Sequence, residues 1–140
     1  MRVILDTNIL LSALLSPHGA PAKLVDAWER KVFTLVTCDE IIAELREVAQ
    51  RPFFRAKLRA SAVEMLSTGL QDFSLYWRDL PPGSVAPDPK DSFLLALAQA
   101  SQADFLVTGD KRLLALRHHK STRMITAAAM IVSLRVRDAS

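Results

Sequence analysis

Short apolar runs alternating with longer amphipathic ones are the strongest constraint on how this chain folds. RVIL, FTLVT, DFLVT and STRMIT each read as a buried strand, and DFSLYW supplies a fifth. The segments between them carry apolar residues at helical spacing. DTNILLSALLSPHG leads straight from the first strand into a helix that ends near Pro17 and Gly19, and PAKLVDAWERK sets Leu24, Val25 and Trp28 at core spacing. In CDEIIAELREVAQR, Ile41, Ile42, Leu45 and Val48 make an apolar stripe that Pro52 ends, and Thr37 with Glu40 has the spacing of a capping box. A short helix around FRAKL and a longer one through ASAVEMLSTGLQ follow. DSFLLALAQASQ, DKRLLALRHH and AAAMIVSLR complete the helical set. Strands alternating with helices in this way predict an α/β domain, a mainly parallel sheet with helices on both faces.

Half of the 140 residues are hydrophobic, enough for one core, so a single domain over residues 1–140 is expected. The one proline-rich stretch, RDLPPGSVAPDPK, is too short to separate domains. No apolar run approaches the roughly 20 residues that span a bilayer, and the opening lacks the order of a signal peptide, so a cytoplasmic protein is expected. Cys38 is the only cysteine, which excludes an internal disulfide and a thiolate zinc cluster and suits a reducing compartment. With four glycines and neither a P-loop nor a GxGxxG pattern, nucleotide-binding folds have little support.

The net charge of +3 is unevenly spread. Residues 1–110 carry 11 basic and 14 acidic side chains, and residues 111–140 carry 7 and 1. Lys111, Arg112, Arg117, Lys120, Arg123, Arg135 and Arg137 form a cationic run that suits a polyanion such as nucleic acid, or simply a solubilising surface.

Open parallel sheets bind ligands beyond the carboxyl ends of their strands. Asp6 follows RVIL and Asp110 follows FLVTG, so both point to that edge. Glu44 lies beside the apolar stripe of its helix, and Asp91 sits in the first turn of another. Each acid has a purely structural reading: Asp6, Asp88 and Asp110 as N-caps, Asp91 as an acid at the positive end of a helix. Four carboxylates converging on one edge would repel one another unless a cation neutralised them. Mg²⁺ or Mn²⁺, which take oxygen ligands, suit such a set better than zinc does. His118 and His119 are adjacent, diverge by about 100° on a helix, and read as surface or phosphate contacts.

VILDTNILLSALL, EIIAELREV, DPKDSFLLALA and ADFLVTGDKRLL, in that order, resemble the PIN domain family. Its small bacterial and archaeal members include the ribonuclease toxins of VapBC-type toxin–antitoxin pairs. The resemblance covers essentially the whole chain. It implies a three-layer α/β/α sandwich of about five strands in the order 3-2-1-4-5. It also implies a metal site of Asp6, Glu44, Asp91 and Asp110, with Asn8 and Thr108 as polar support. Related sequences often carry further acids at the positions of Ser92 and Arg112, so a second metal position lacks its usual ligands here. Cys38 stands where a helix-capping serine is common, and reads as a structural substitution.

The activity implied is Mg²⁺- or Mn²⁺-dependent endoribonucleolytic hydrolysis by in-line attack of activated water, leaving a 5′-phosphate and a 3′-hydroxyl. Lys111, Arg112 and Arg117 would contact the RNA backbone. Two alternatives remain: a non-catalytic PIN-like module that binds RNA or protein, and a haloacid-dehalogenase-type phosphohydrolase, which expects a second acid where Asn8 stands. The resemblance further implies a homodimer and a cognate antitoxin. Leu14, Leu15, Trp28, Phe53 and Phe54 are candidates for the antitoxin groove, or plain core.

Overall fold

A computed structural model describes residues 1–81 and 86–139. Residues 82–85 of the proline-rich segment lie outside the described residues. The chain runs β1 (Arg2–Leu5), α1 (Thr7–Leu15), α2 (Ala20–Glu29), β2 (Thr34–Cys38), α3 (Asp39–Ala49), α4 (Pro52–Lys57), α5 (Ala60–Phe73) and β3 (Leu75–Trp77). A 3₁₀ turn at Pro89–Asp91 then leads into α6 (Ser92–Ser101), β4 (Phe105–Val107), α7 (Lys111–Leu116), β5 (His118–His119), β6 (Thr122–Ile125) and α8 (Ala127–Ala139).

The six strands form one sheet in the order β3-β2-β1-β4-β6-β5. Five are parallel in the expected order. The addition is β5, which pairs antiparallel with β6 through His118↔Arg123 and His119↔Thr122. The histidines expected to end a basic helix therefore form a two-residue edge strand. Arg117 causes the change: its φ of 61° stops α7 and turns the chain, and its carbonyl accepts from the Met124 N–H at 2.9 Å.

The sheet's interior is built from runs buried on both sides. Val3, Ile4 and Leu5 of β1, Leu35 and Val36 of β2, and Leu106 and Val107 of β4 are at most 1 % exposed. Connections into β2 and β3 travel one way along the sheet, and the connection from β3 to β4 travels the other. Right-handed crossovers therefore put α1–α5 and α6 on opposite faces. The direction changes between β1 and β4, and in such sheets ligands bind beyond the carboxyl ends of the strands at that point.

In α3 the expected stripe of Ile41, Ile42, Leu45 and Val48 is buried. Its expected capping box is not formed. β2 extends to Cys38, which becomes the N-cap residue, so Glu40 stands one position too early. Thr37 remains a fully buried strand residue whose hydroxyl finds no partner among the described residues. Cys38 is itself fully buried, and burial pushes its thiol up to about 12, so it is inert as a nucleophile at neutral pH.

Candidate functional site

Asp6 is the first residue past β1 and is only 8 % exposed. Its backbone stays in the sheet through an N–H bond to the Val107 carbonyl at 3.0 Å, which leaves the residue at the carboxyl edge of the sheet. Both carboxylate oxygens are held: Oδ1 accepts from the Thr7 N–H at 2.7 Å, and Oδ2 accepts from the Thr108 hydroxyl at 2.8 Å. Thr108 is fully buried one residue past β4, and its Oγ1 accepts in turn from the Asp110 N–H at 3.0 Å. A single hydroxyl thus couples the two acids that follow the sheet's two central strands.

Asp110 uses Oδ1 to accept from the Arg112 N–H at 2.8 Å as the N-cap of α7. Asp88 does the same for the Lys90 N–H at 3.0 Å. The capping reading of these acids is therefore correct as geometry. Asp91 is different: it is the N-cap residue of α6 but makes no capping hydrogen bond. Glu44 lies on the second turn of α3, half-buried. Because side chains on a helix lean toward its N-terminus, and α3 starts at the carboxyl edge, Glu44 reaches back toward Asp6.

Electrostatics tie these acids together. Burial raises the pKa of Asp6 above the ordinary carboxylate value, and the charges of Glu44 and Asp110 push the same way, against the hydrogen bonds from Thr108 and Thr7. Asp91 rises to about 6, first from burial, then from the neighbouring Asp6, Asp110 and Asp88 charges and a hydrogen bond with Asp110. Asp6, Glu44, Asp91 and Asp110 thus share one electrostatic neighbourhood. Among the described residues none of them forms an ion pair.

The cluster is not a finished cage: among the described residues no three His, Cys, Asp or Glu side chains are arranged to hold a metal ion. Its donor chemistry nevertheless fits a hard divalent cation. The donors are carboxylate oxygens, two of the acids already have raised pKa values, and among the described residues no Lys or Arg pairs with them. Sequence reasoning treated Asp88 only as a cap and missed its contribution to this field. The signal was its place three residues before Asp91.

The supporting residues divide. Thr108 holds Asp6, whereas Asn8 is exposed and makes no side-chain hydrogen bond among the described residues, because the first turn of α1 carries it outward. Ser92 accepts from the Ala86 N–H at 3.1 Å and so anchors the end of the loop. Lys111 and Arg112 are exposed in the first turn of α7, beside the acids. Arg117 is at the far end of that helix, roughly 10 Å along its axis from Asp110.

The rest of the cationic run does not form one stripe. Lys120 precedes β6, and α8 runs away from the carboxyl edge, carrying Arg135 and Arg137 toward the amino ends of the strands, where the Arg137 guanidinium lies 5.6 Å from the Phe105 ring centroid. The expected groove residues divide as well. Leu14 and Trp28 line a large apolar hollow with Val25, Leu66, Phe73 and Leu75. Phe53 and Phe54 stand apart on α4, edge to face at 5.1 Å.

The PIN domain family pattern matches residues 2–112, which include all four acids. An uncharacterized protein of Methanocaldococcus jannaschii is 28% identical over 118 residues, covering 84% of this chain and 76% of its own length. The chain belongs to the PIN domain family, whose members are typically metal-dependent nucleases.

Proposed function

We propose that this PIN domain, a single unit over residues 1–140, is an endoribonuclease that hydrolyses RNA phosphodiester bonds at Asp6, Glu44, Asp91 and Asp110. The observation that carries this reading is the shared field of four acids beyond the carboxyl ends of β1 and β4, none of which forms an ion pair among the described residues. Mg²⁺ or Mn²⁺ would be held by the same four carboxylates. When bound, such an ion activates water and offsets charge on the scissile phosphate.

The chain's own residues do the positioning. Thr7 and Thr108 fix both oxygens of Asp6 before substrate arrives, and Thr108 passes that order on to Asp110. Burial and the neighbouring Asp6, Asp110 and Asp88 charges raise Asp91 to about 6, so at neutral pH its carboxylate is ionised and able to take a cation. Lys111 and Arg112 supply a basic rim that draws the RNA backbone toward an otherwise repulsive centre, and Arg117 extends it. Hydrolysis is expected to leave a 5′-phosphate and a 3′-hydroxyl.

The biological role we assign is that of a cytoplasmic toxin in a toxin–antitoxin pair. Among the described residues no helix is long and apolar enough to cross a membrane. The apolar hollow at Leu14, Val25, Trp28, Leu66 and Phe73 is where a cognate antitoxin helix would dock, and a homodimer is the expected assembly. The absence of a finished cage among the described residues favours the second reading, a non-catalytic RNA- or protein-binding module. Calorimetric titration of Mn²⁺ separates the two: saturable binding that is lost in Asp6→Asn supports the nuclease, and no specific heat supports the module.

A further inference from the structure

We propose that Tyr76 and Arg78, at the carboxyl end of β3, form a subsite for an unpaired nucleotide of the RNA, holding a base by stacking and its phosphate by charge. The inference rests on the ribonuclease reading and adds to it a determinant of where the strand is cut. Sheet register supplies the position. Ile4 pairs with Val36 and Thr37 pairs with Tyr76, so Tyr76 stands level with Leu5, one residue short of Asp6. β3 is two strands away from β1, a lateral distance of about 10 Å along the edge that holds the acids. An RNA strand lying across that edge meets both places.

The local chemistry is that of a stacking platform. The Tyr76 hydroxyl donates to Asp39 Oδ1, at the start of α3, which locks the ring in one orientation. The Arg78 guanidinium lies over the ring face, 5.6 Å from its centroid, and is exposed. Among the described residues Arg78 forms no ion pair, although Asp39 and Asp72 line the same hollow. Its charge therefore remains available for a phosphate, and its plane for a base.

Gln71 and Asp72 complete a polar hollow of about 480 Å³, within the roughly 300–1,000 Å³ typical of small-ligand sites. Gln71 can donate to or accept from a base edge, and the Asp72 carboxylate can accept from one. A ring held only for packing would be covered by apolar neighbours on both faces. Tyr76 instead presents one face to the exposed Arg78 guanidinium, next to Gln71 and Asp72, whose polar atoms suit base edges.

The test uses fluorescein-labelled single-stranded RNA and anisotropy in the Asp6→Asn background, so that binding is read without cleavage. Tyr76→Ala should weaken binding about tenfold, the size of one lost stacking contact, while Tyr76→Phe keeps most of it. Arg78→Ala should weaken it and flatten its salt dependence. In the active protein, the same two alanine changes should shift the map of cut positions. Should Tyr76→Ala fail to fold, cross-linking of 4-thiouridine RNA to the unmutated chain decides, with adducts expected on the peptide spanning residues 76–78. Unchanged binding and an unchanged cut map in Arg78→Ala, with no adduct at 76–78, overturn the subsite and leave the ribonuclease reading intact. Failure of the unmutated protein to bind or cut RNA overturns both.

Discussion

The two ends of the same parallel strands treat charge in opposite ways. At the amino end, charged side chains find partners within the chain. Arg2 donates its guanidinium to the Ser101 carbonyl at 2.6 Å and its N–H to Asp104 Oδ2 at 2.8 Å, and Arg30 pairs with Asp26 at 2.9 Å. Lys31, Gln102 and Lys120, with φ of 62°, 52° and 55°, reverse the chain there. At the carboxyl end, acids gather, and the pKa values of Asp6 and Asp91 rise, first from burial and then from the neighbouring charges. The two ends differ in whether the chain supplies the counter-charge. Where it does, the charges serve folding; where it does not, burial and mutual repulsion raise the pKa values of Asp6 and Asp91.

Removing a charge from the carboxyl edge should have the largest effect. Asp6→Asn keeps the shape and should lower RNA cleavage by at least about 100-fold, the rate equivalent of a few kcal/mol of lost charge stabilisation. Thermal unfolding should show no loss of stability, because a buried charge with a raised pKa has gone. Retained cleavage would break the comparison outright.

Next comes the hydroxyl that organises that edge. Thr108→Val strips Asp6 Oδ2 and the Asp110 N–H of their shared partner. Urea unfolding should show a cost of about 1–3 kcal/mol, and Mn²⁺ affinity should fall about 10- to 100-fold. A loss of stability with metal affinity unchanged would make Thr108 a fold residue only.

A pH dependence of definite sign follows from Asp91. Its folded pKa of about 6 lies above the ordinary 3.8, so between those values the native state holds more protons than the unfolded one. The stability this group contributes is full below 3.8 and is lost as pH rises through about 6. In chelator at pH 7, Asp91→Asn should therefore gain about 1 kcal/mol, a figure discounted for the exposure of the group. Melting curves at pH 5 and 7 check it; a variant less stable than the parent at pH 7 would contradict the crowding of acids.

The smallest effect belongs to the amino edge. Arg30→Ala breaks an exposed pair four residues apart on a helix, should cost under about 0.5 kcal/mol in chemical denaturation, and should leave cleavage unchanged. A drop in cleavage would mean that both edges take part in the reaction.

Most of the fold was legible because apolar periodicity and strand length are local signals. The α3 stripe and the buried runs of β1, β2 and β4 are as expected, and so is the parallel order. Features set by chain reversals were not. The helical reading of His118 and His119 fails at Arg117, whose left-handed backbone no neighbouring residue signals. The cationic run looked like one patch because adjacency in sequence says nothing about which end of a strand a residue occupies; Lys111 and Lys120 lie nine positions apart and at opposite edges. The acids could be assigned to one edge because each follows, or nearly follows, a recognisable strand or opens a helix. Their exact company could not: Asp88 enters through a loop, and Asn8, next to Asp6 but one, is turned outward by α1. Tyr76 and Asp39 meet only through the pairing of β3 with β2.

The central claim is that the unbalanced acids at the carboxyl edge make a metal-dependent centre for RNA hydrolysis. Incubating the purified protein with mixed RNA, in Mn²⁺ and in chelator, and mapping the product ends tests it most directly. The account predicts cuts only with Mn²⁺, with 5′-phosphate ends. Cleavage that persists in chelator, or none in Mn²⁺, would contradict it.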